Sequence, residues 1–259
     1  MPPLSRRSTL AALAATAACT AMGRHASAAS ELTILSGGAA KAGLLAAIPS
    51  FEAAAQIKVA ADFAPMGRLT KSLGDGVAPD VIVVTEEVLA EIATKGWLLP
   101  ETATLVGRVG VGVAVNEAAP SPDIATADAF KATLLKAKSI VMIDPNTGTS
   151  GKHLAKVFAD LGIAEALKPK LTFGAGGYVV EPVGKGEIEL GLHQITEILP
   201  AKGVKLVGPL PPPLQKITTY VALLGAKAKD PIAARKFLDH LKSNDVRISL
   251  AKVGFMADK

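Results

Sequence analysis

Ser139-Ile-Val-Met-Ile-Asp144-Pro-Asn-Thr-Gly-Thr-Ser-Gly-Lys-His153 is an apolar run that stops at a proline, turns through small hydroxylated residues and opens a helical pattern. Ile140 to Ile143 reads as a buried strand, and Asp144-Pro145 ends it because proline offers no N–H to a sheet. Leu154, Val157, Phe158 and Leu161 then recur at i, i+3, i+4 and i+7, with Gly162 as the stop. Thr147, Thr149 and Ser150 therefore fall where a helix exposes unpaired N–H groups and the positive end of its dipole, which is how an anion site is made. The same hydroxyls are ordinary helix caps, so capping is the alternative use for each of them.

Around this unit lie 259 residues, enough for one large domain or two modest ones, and an apolar share of 49% excludes a mainly disordered chain. The net charge of +5 suggests nucleic acid until it is divided along the chain. Arg6, Arg7 and Arg24 are the only charged side chains before Glu31, so 25 of the 28 basic groups remain beyond them against 23 acidic ones, a balance of +2. No basic patch survives, and seven Phe, two Tyr and one Trp leave little for stacking bases. A nucleic-acid partner is not expected.

Residues 1–28 read as an export signal. Arg6-Arg7 give the charged start, Leu10 to Ala18 the apolar middle, and Ala26-Ser27-Ala28 the small-residue cleavage site, with cutting expected between Ala28 and Ala29. Ser5-Arg-Arg-Ser-Thr-Leu10 is similar to a twin-arginine signal, with Thr9 where that signal prefers Phe. The apolar run is too short and alanine-rich for a membrane span. Cys19, the single cysteine, lies inside the signal; Thr16 stands where lipoprotein signals favour Leu, which argues against a lipid on Cys19. The mature chain then has no thiol, and neither a disulfide nor a cysteine metal site is expected.

In chain order, Leu32 to Leu35 is a strand ending at Ser36-Gly37-Gly38, followed by a helix-rich stretch to Ala55 interrupted at Pro49. Ile57 to Phe63 is a second strand turning at Ala64-Pro-Met-Gly67 into a helix that carries Arg68, Leu69 and Leu73; Val81 to Val84 is a third, and Thr85 opens a helix running to Lys95. Three turns thus lie at strand carboxyl ends, the edge where open α/β sheets bind ligands. Arg108 to Val115 is a strand, Thr126 to Lys138 a helix, Gly174 to Gly177 a glycine loop, and Ile188 to Leu192 a strand followed by His193-Gln-Ile-Thr-Glu197. After Val204 to Val207, Gly208-Pro-Leu-Pro-Pro-Pro213 is expected to run extended as a return crossover. Ile217 to Leu224 is a strand, and Asp230-Pro231 caps a helix with Ala234, Phe237, Leu238 and Leu241 on one face. Residues 244–259 are expected to pack back as a terminal helix and tail.

This order of motifs resembles the bacterial periplasmic solute-binding proteins, in particular their molybdate-binding-protein-like branch, over essentially the whole mature chain. The residues that carry it are Leu35-Ser-Gly-Gly-Ala39, Phe51-Glu52, Phe63-Ala-Pro-Met-Gly-Arg-Leu69, Pro79-Asp-Val-Ile82, Asp144-Pro145 with Gly148 and Gly151, and Gly186-Glu-Ile-Glu-Leu-Gly191. The resemblance implies an α/β, type II periplasmic binding fold in two lobes, each a mixed sheet flanked by helices. Lobe one would be residues 31–113 plus 214–259 and lobe two residues 114–213. The ligand would lie in the cleft, bound by Ser36, Gly37, Gly38, Met66, Gly67, Arg68, Thr85, Thr149, Ser150, His193 and Gln194. No metal and no cofactor is expected.

The departures bear on the ligand. Where the molybdate-binding branch carries two serines and a tyrosine, this chain has Ala39, Met66 and Gln194. Arg68, just past the Gly67 turn, is expected to take a carboxylate through two parallel hydrogen bonds instead. Gly148 to His153 mimics a phosphate loop but lacks its spacing and the hydroxyl after the lysine. His153 and His193 each follow a strand end and are candidates to meet across the cleft, while Glu86, Glu87 and Glu197 are candidate general bases or mouth carboxylates, with solvated helix starts as the alternative. The leading expectation is a monomeric periplasmic subunit that captures a small anion, a carboxylate before molybdate, and presents it to the membrane permease of an ABC importer. The alternative is an enzyme on the same scaffold, such as an isomerase of a small unsaturated di- or tricarboxylic acid, with His193 or His153 as its acid–base group. A sensory role through a membrane receptor is the third.

Overall fold

The computed structural model describes residues 31–256; the expected signal segment and its cleavage site lie outside them. From Glu31 the chain alternates strand and helix. β1 (Glu31–Gly37) leads through a 3-10 turn (Gly38–Ala40) into α1 (Lys41–Ala55), β2 (Lys58–Ala64) into α2 (Met66–Gly74), and β3 (Val81–Thr85) into α3 (Glu86–Ile92). β4 (Thr104–Asn116) and α4 (Ala127–Lys136) precede β5 (Ile140–Ile143), α5 (Thr149–Asp160) and α6 (Ala164–Leu167). β6 (Leu171–Gly174), α7 (Glu181–Gly184), β7 (Leu190–Gln194), α8 (Ile195–Ile198) and β8 (Val204–Pro209) follow, and β9 (Ile217–Leu224), α9 (Pro231–Leu241) and α10 (Asn244–Lys252) close the described chain.

The strands form one continuous sheet in the order β2-β1-β3-β9-β4-β7-β5-β6, with β8 also on β4. β1 is parallel to β2 and β3, and β5 is parallel to β6 and β7, whereas β9 and β4 run against their neighbours. β4 carries the change of lobe. Its residues Thr104 to Gly110 pair with β9, and from Val111 onward its partners are β7 and β8. The core follows the same division. One apolar cluster joins residues between Leu32 and Val109 to residues between Tyr220 and Phe255, and two more, on the faces of the second half-sheet, draw on residues between Val111 and Leu210.

The β5–α5 unit forms as its sequence dictates. All four β5 residues are buried, as are Leu154, Val157 and Phe158 on the inner face of α5. Burying those three side chains contributes about 1.5–3 kcal/mol each. Gly162 adopts a positive φ of 67° and ends the helix. Gly151 is required by contact: a Cβ there would stand 2.3 Å from the Ile143 carbonyl oxygen, so only glycine lets the first turn of α5 lie against the end of β5.

Four local expectations are corrected. Pro49 does not interrupt α1, which runs through it. The ring removes the bond to the Leu45 carbonyl, but Leu45 is exposed, so that carbonyl lies on the solvent side of the helix, while Leu44, Ala47, Ile48 and Phe51 fasten the opposite face to the core. α3 stops at Ile92 rather than Lys95. β7 begins at Leu190 and continues through Gln194, so His193 and Gln194 are strand residues held by pairing to Gly112 and Val111. The proline-rich crossover is not extended throughout, since Pro212–Leu214 form a 3-10 turn.

Candidate functional site

Three helices begin around one cavity. The 3-10 turn at Gly38 that leads into α1, the start of α2 at Met66 and the start of α5 at Thr149 all border it. None of the three starts is capped by a side chain: Gly37, Pro65 and Gly148 precede them and offer no acceptor. Four other helices are capped conventionally, with Thr85 on Val88, Thr126 on Ala129, Asp230 on Ala233 and Ser243 on Val246, while the short helices α6, α7 and α8 also begin without a side-chain cap. The uncapped starts at the cavity therefore leave main-chain N–H groups and three positive dipole ends turned to one place.

The cavity is lined by Gly38, Ala39, Pro65, Met66, Ile143, Gly148, Thr149, Ser150, Gly177, His193, Gln194, Glu197 and Tyr220. It is small, with about 20 Å³ for the centres of water-sized molecules. A wider vestibule of about 170 Å³ adjoins it and shares Met66, Gly148 and Thr149. Gly67, Thr85, Glu87, Glu91, Lys152 and Lys216 line that outer space, where Lys216 pairs with Glu87 at 2.6 Å. The cleft is closed over the inner cavity. The Gly67 N–H donates to the Thr147 carbonyl at 3.1 Å, the Thr196 hydroxyl to the Ala39 carbonyl at 2.7 Å, and the Lys41 ammonium lies 4.9 Å from the Tyr178 ring centre.

Two ionisable groups of opposite sign face the inner cavity. His193 is 1% exposed and Glu197 5%, and His193 Nε2 stands 3.3 Å from Glu197 Oε2. On the other side of the ring, Nδ1 lies 3.2 Å from Ser150 Oγ, and Nε2 is also 3.2 Å from the Gly177 carbonyl. Burial is the largest single influence on the imidazole and lowers its pKa; the Glu197 charge, the Glu197 hydrogen bond and the Gly177 carbonyl together outweigh it and hold His193 above the ordinary 6.5. As an imidazolium it donates at both nitrogens, so the Ser150 oxygen accepts and its own O–H is free to point elsewhere. Burial, then the charges of Glu197 and Glu87, likewise push the Tyr220 phenol upward, keeping it protonated beside Glu197. The Glu197 carboxylate also comes close to Gly38, where a Cβ would sit 2.8 Å from Oε1, so a larger residue there would displace the carboxylate.

Of the residues expected at the site, Gly38, Met66, Thr149, Ser150, His193 and Gln194 line the inner cavity, and Gly67 and Thr85 line the vestibule with Met66 and Thr149. Thr85 is also the cap of α3. Ser36 is buried behind the cavity with its hydroxyl on the Gly37 carbonyl, and Gly37 abuts Met66 and Tyr220. Arg68 is not in either space. It is exposed, and its guanidinium folds back to donate to the Phe63 carbonyl at 2.8 Å, because the third position of α2 faces away from the cleft. The two histidines do not meet either: His153 Nε2 bonds the Leu214 carbonyl at 2.8 Å and fastens α5 to the crossover. Ser150 is not a cap, since its hydroxyl serves His193.

Tyr220 belongs to the cavity without having been singled out in the sequence, and Glu197, a candidate general base or mouth carboxylate there but not an expected ligand, lines it as well. The spacing His193-x-x-x-Glu197 was available in the sequence, but it spans a strand end and one turn of α8, so no helical period marks it. Gln194 donates its amide to Thr218 at 3.3 Å, and its buried Oε1 has no donor among the described residues. Turning the amide over exchanges the two roles, because the Thr218 hydroxyl can donate as well as accept. Gln194 can therefore offer the cavity an acceptor or an N–H donor.

Two lobes on a shared sheet, closed over uncapped helix starts, define a solute-binding protein, and comparison bears this out. Residues 32–256 match the family model described as bacterial extracellular solute-binding protein, and the chain belongs to that family. It is 29% identical over 229 residues, 86% of each chain, to aconitate isomerase from Pseudomonas sp, and 28% identical over 195 residues to the molybdate-binding protein ModA of Azotobacter vinelandii, covering 71% of this chain and 73% of that one. Among solved structures, the periplasmic molybdate-binding protein of Azotobacter vinelandii superposes with a TM-score of 0.74 at 15% identity, over 88% of this chain and 100% of that one. The sulfate-binding protein SubI of Mycobacterium tuberculosis gives 0.69 at 18%, over 87% and 86%. The architecture is the type II periplasmic binding fold, as the order of motifs implied.

Proposed function

We propose that the chain is an exported solute-binding protein whose cleft closes on a small organic anion bearing carboxylates and delivers it to the permease of an ABC importer. Residues 31–113 with 214–259 and residues 114–213 are the two bodies that close. The observation that carries this reading is the meeting of three uncapped helix starts at one small cavity. Main-chain N–H groups suit an anion without adding cationic side chains, and none but His193 lies in the inner cavity. Carboxylate is favoured over molybdate because Ala39 and Met66 offer no hydroxyl and because Glu197 stands in the cavity, where a fully ionised oxyanion meets its charge. A carboxylate ligand with carbon or hydroxyl groups can turn those toward Glu197 instead. In this reading the signal is cut near Ala28 and Ala29 and the protein works in the periplasm.

Isothermal titration of the purified chain with trans-aconitate, citrate, molybdate and sulfate tests the assignment. Binding of the carboxylates, with molybdate at least about tenfold weaker, is expected, a difference of about 1.4 kcal/mol. Molybdate binding without any carboxylate overturns the ligand class, and an absence of binding to all four overturns the anion site.

A second reading has its own support. The relative named aconitate isomerase matches 86% of this chain, and the inner cavity holds a buried hydroxyl, imidazole and carboxylate in hydrogen-bond sequence, which a passive anion receptor does not need. In that reading the chain moves a proton within an unsaturated di- or tricarboxylic acid held in the closed cleft. Incubation with trans-aconitate, followed by proton NMR for the appearance of a double-bond isomer, separates turnover from capture.

A further inference from the structure

We propose that Glu197 and Ser150 are the two proton-transfer groups of that reaction, working on opposite ends of the ligand's allylic unit, and that His193 is the positioning residue that connects them. The proposal rests on the turnover reading and gives it residues. All three side chains are buried, all three line the same cavity, and they stand in series: Glu197 Oε2 to His193 Nε2 at 3.3 Å, His193 Nδ1 to Ser150 Oγ at 3.2 Å. Ser150 and Glu197 are thereby set on either side of one imidazole, at the uncapped start of α5 and beside the start of the Gly38 turn respectively. Carboxylates held by those helix starts would leave the carbon skeleton between the two oxygens.

The step balances without an oxidant or a cofactor. Glu197 takes a proton from the saturated carbon adjoining the double bond, and the electron pair of that C–H bond becomes the new double bond. The old π pair takes a proton from the Ser150 hydroxyl at the far carbon, and Ser150 is made whole by the Nδ1 proton of His193. One C–H bond breaks and one forms. When the cleft opens, Glu197 loses its proton to water and His193 regains one from water through Ser150, restoring the carboxylate and imidazolium. Charge is conserved inside the closed cavity at every stage, which suits a site with little room for solvent.

The test uses the full chain with trans-aconitate in deuterium oxide. The native protein is expected to form the isomer with one solvent deuterium at the receiving carbon, because donor and acceptor are different groups. Ser150→Ala and Glu197→Gln are expected to lose about 10²-fold or more in kcat with KM changed no more than a few fold, while still binding aconitate by titration calorimetry. His193→Gln is expected to lose kcat and to flatten the pH profile of the remainder. If Glu197→Gln does not fold, Ser150→Ala alone decides. Isomer that retains the original protium at the receiving carbon, or native kcat in Ser150→Ala, overturns the relay and leaves turnover standing. A native chain that binds aconitate and forms no isomer overturns both the relay and the turnover reading, and leaves capture.

Discussion

Replacing Glu197 with glutamine should destabilise the protein by an amount that depends on pH in a specified direction. In the native chain His193 is buried and its pKa is raised above 6.5, so the imidazolium–carboxylate pair contributes stability that is fully present below the unfolded pKa and is lost as pH rises through the folded one. Glutamine keeps the volume and one hydrogen bond but removes the charge. Burial then dominates and lowers the His193 pKa, so the variant loses stability as pH falls through 6.5, the opposite trend. Breaking a buried pair costs about 3–5 kcal/mol when the survivor stays charged, whereas losing a hydrogen bond to a neutral survivor costs about 1 kcal/mol. The expected loss is therefore about 3 kcal/mol near pH 5.5 and about 1 kcal/mol near pH 8.5. Urea unfolding followed by circular dichroism at the two pH values measures it; with a slope of about 2–3 kcal/mol/M the acidic difference is a midpoint shift of roughly 1 M or more. Equal shifts at both pH values, or a larger one at alkaline pH, would show that His193 is neutral in the folded protein and that no imidazolium–carboxylate pair exists there.

Arg68→Ala should leave affinity for the best carboxylate ligand within about twofold, since the guanidinium is spent on Phe63; a loss of tenfold, about 1.4 kcal/mol, in titration calorimetry would return it to the site. Gly151→Ala should cost about 2–4 kcal/mol in urea unfolding and weaken ligand binding as well, because the new methyl group meets the Ile143 carbonyl at 2.3 Å and drives the start of α5 off β5. Asp80→Asn should cost about 2–4 kcal/mol, since that carboxylate accepts from the Thr33 N–H and hydroxyl and from the Lys229 and Asp230 N–H groups, tying β1 and β3 to the approach of α9. Burial raises the Asp80 pKa but those hydrogen bonds outweigh it and hold it below 3.8, so its contribution is present above that value and disappears as pH falls through the lower folded one. Acid unfolding of the native chain and the variant should converge there.

The architecture was legible because its breaks are chemical. Asp144-Pro145, Gly162 and Asp230-Pro231 end or begin elements through missing N–H groups, positive φ and capping, and β5, α5, β9 and α9 follow from them. Pro49 misled because its consequence depends on whether the freed carbonyl meets water, which only the packing of α1 decides. β6 was missed since Leu171-Thr-Phe-Gly174 is half exposed and carries no alternation; it is a strand because β5 offers an edge. For the site, the turns at strand ends marked where ligand would lie, but not how side chains turn there. Arg68 is a matter of helix phase, and Glu197 reaches the cavity only because α8 begins directly from β7 and lays its carboxylate against Gly38. Such relations join residues far apart in the chain, and no local pattern encodes them.

β9 sits in the middle of the sheet, between β3 and β4, although it is the last strand in chain order. While the polypeptide is being made, β3 and β4 each hold an unpaired edge until Leu224 has emerged, and the apolar faces gathered around Phe237 and Leu250 have nothing to cover them. The half built from residues between Val111 and Leu210 can condense early, but its companion must wait for almost the entire message to be read. Pairings between strands so far apart in sequence are the ones that close late when a chain folds.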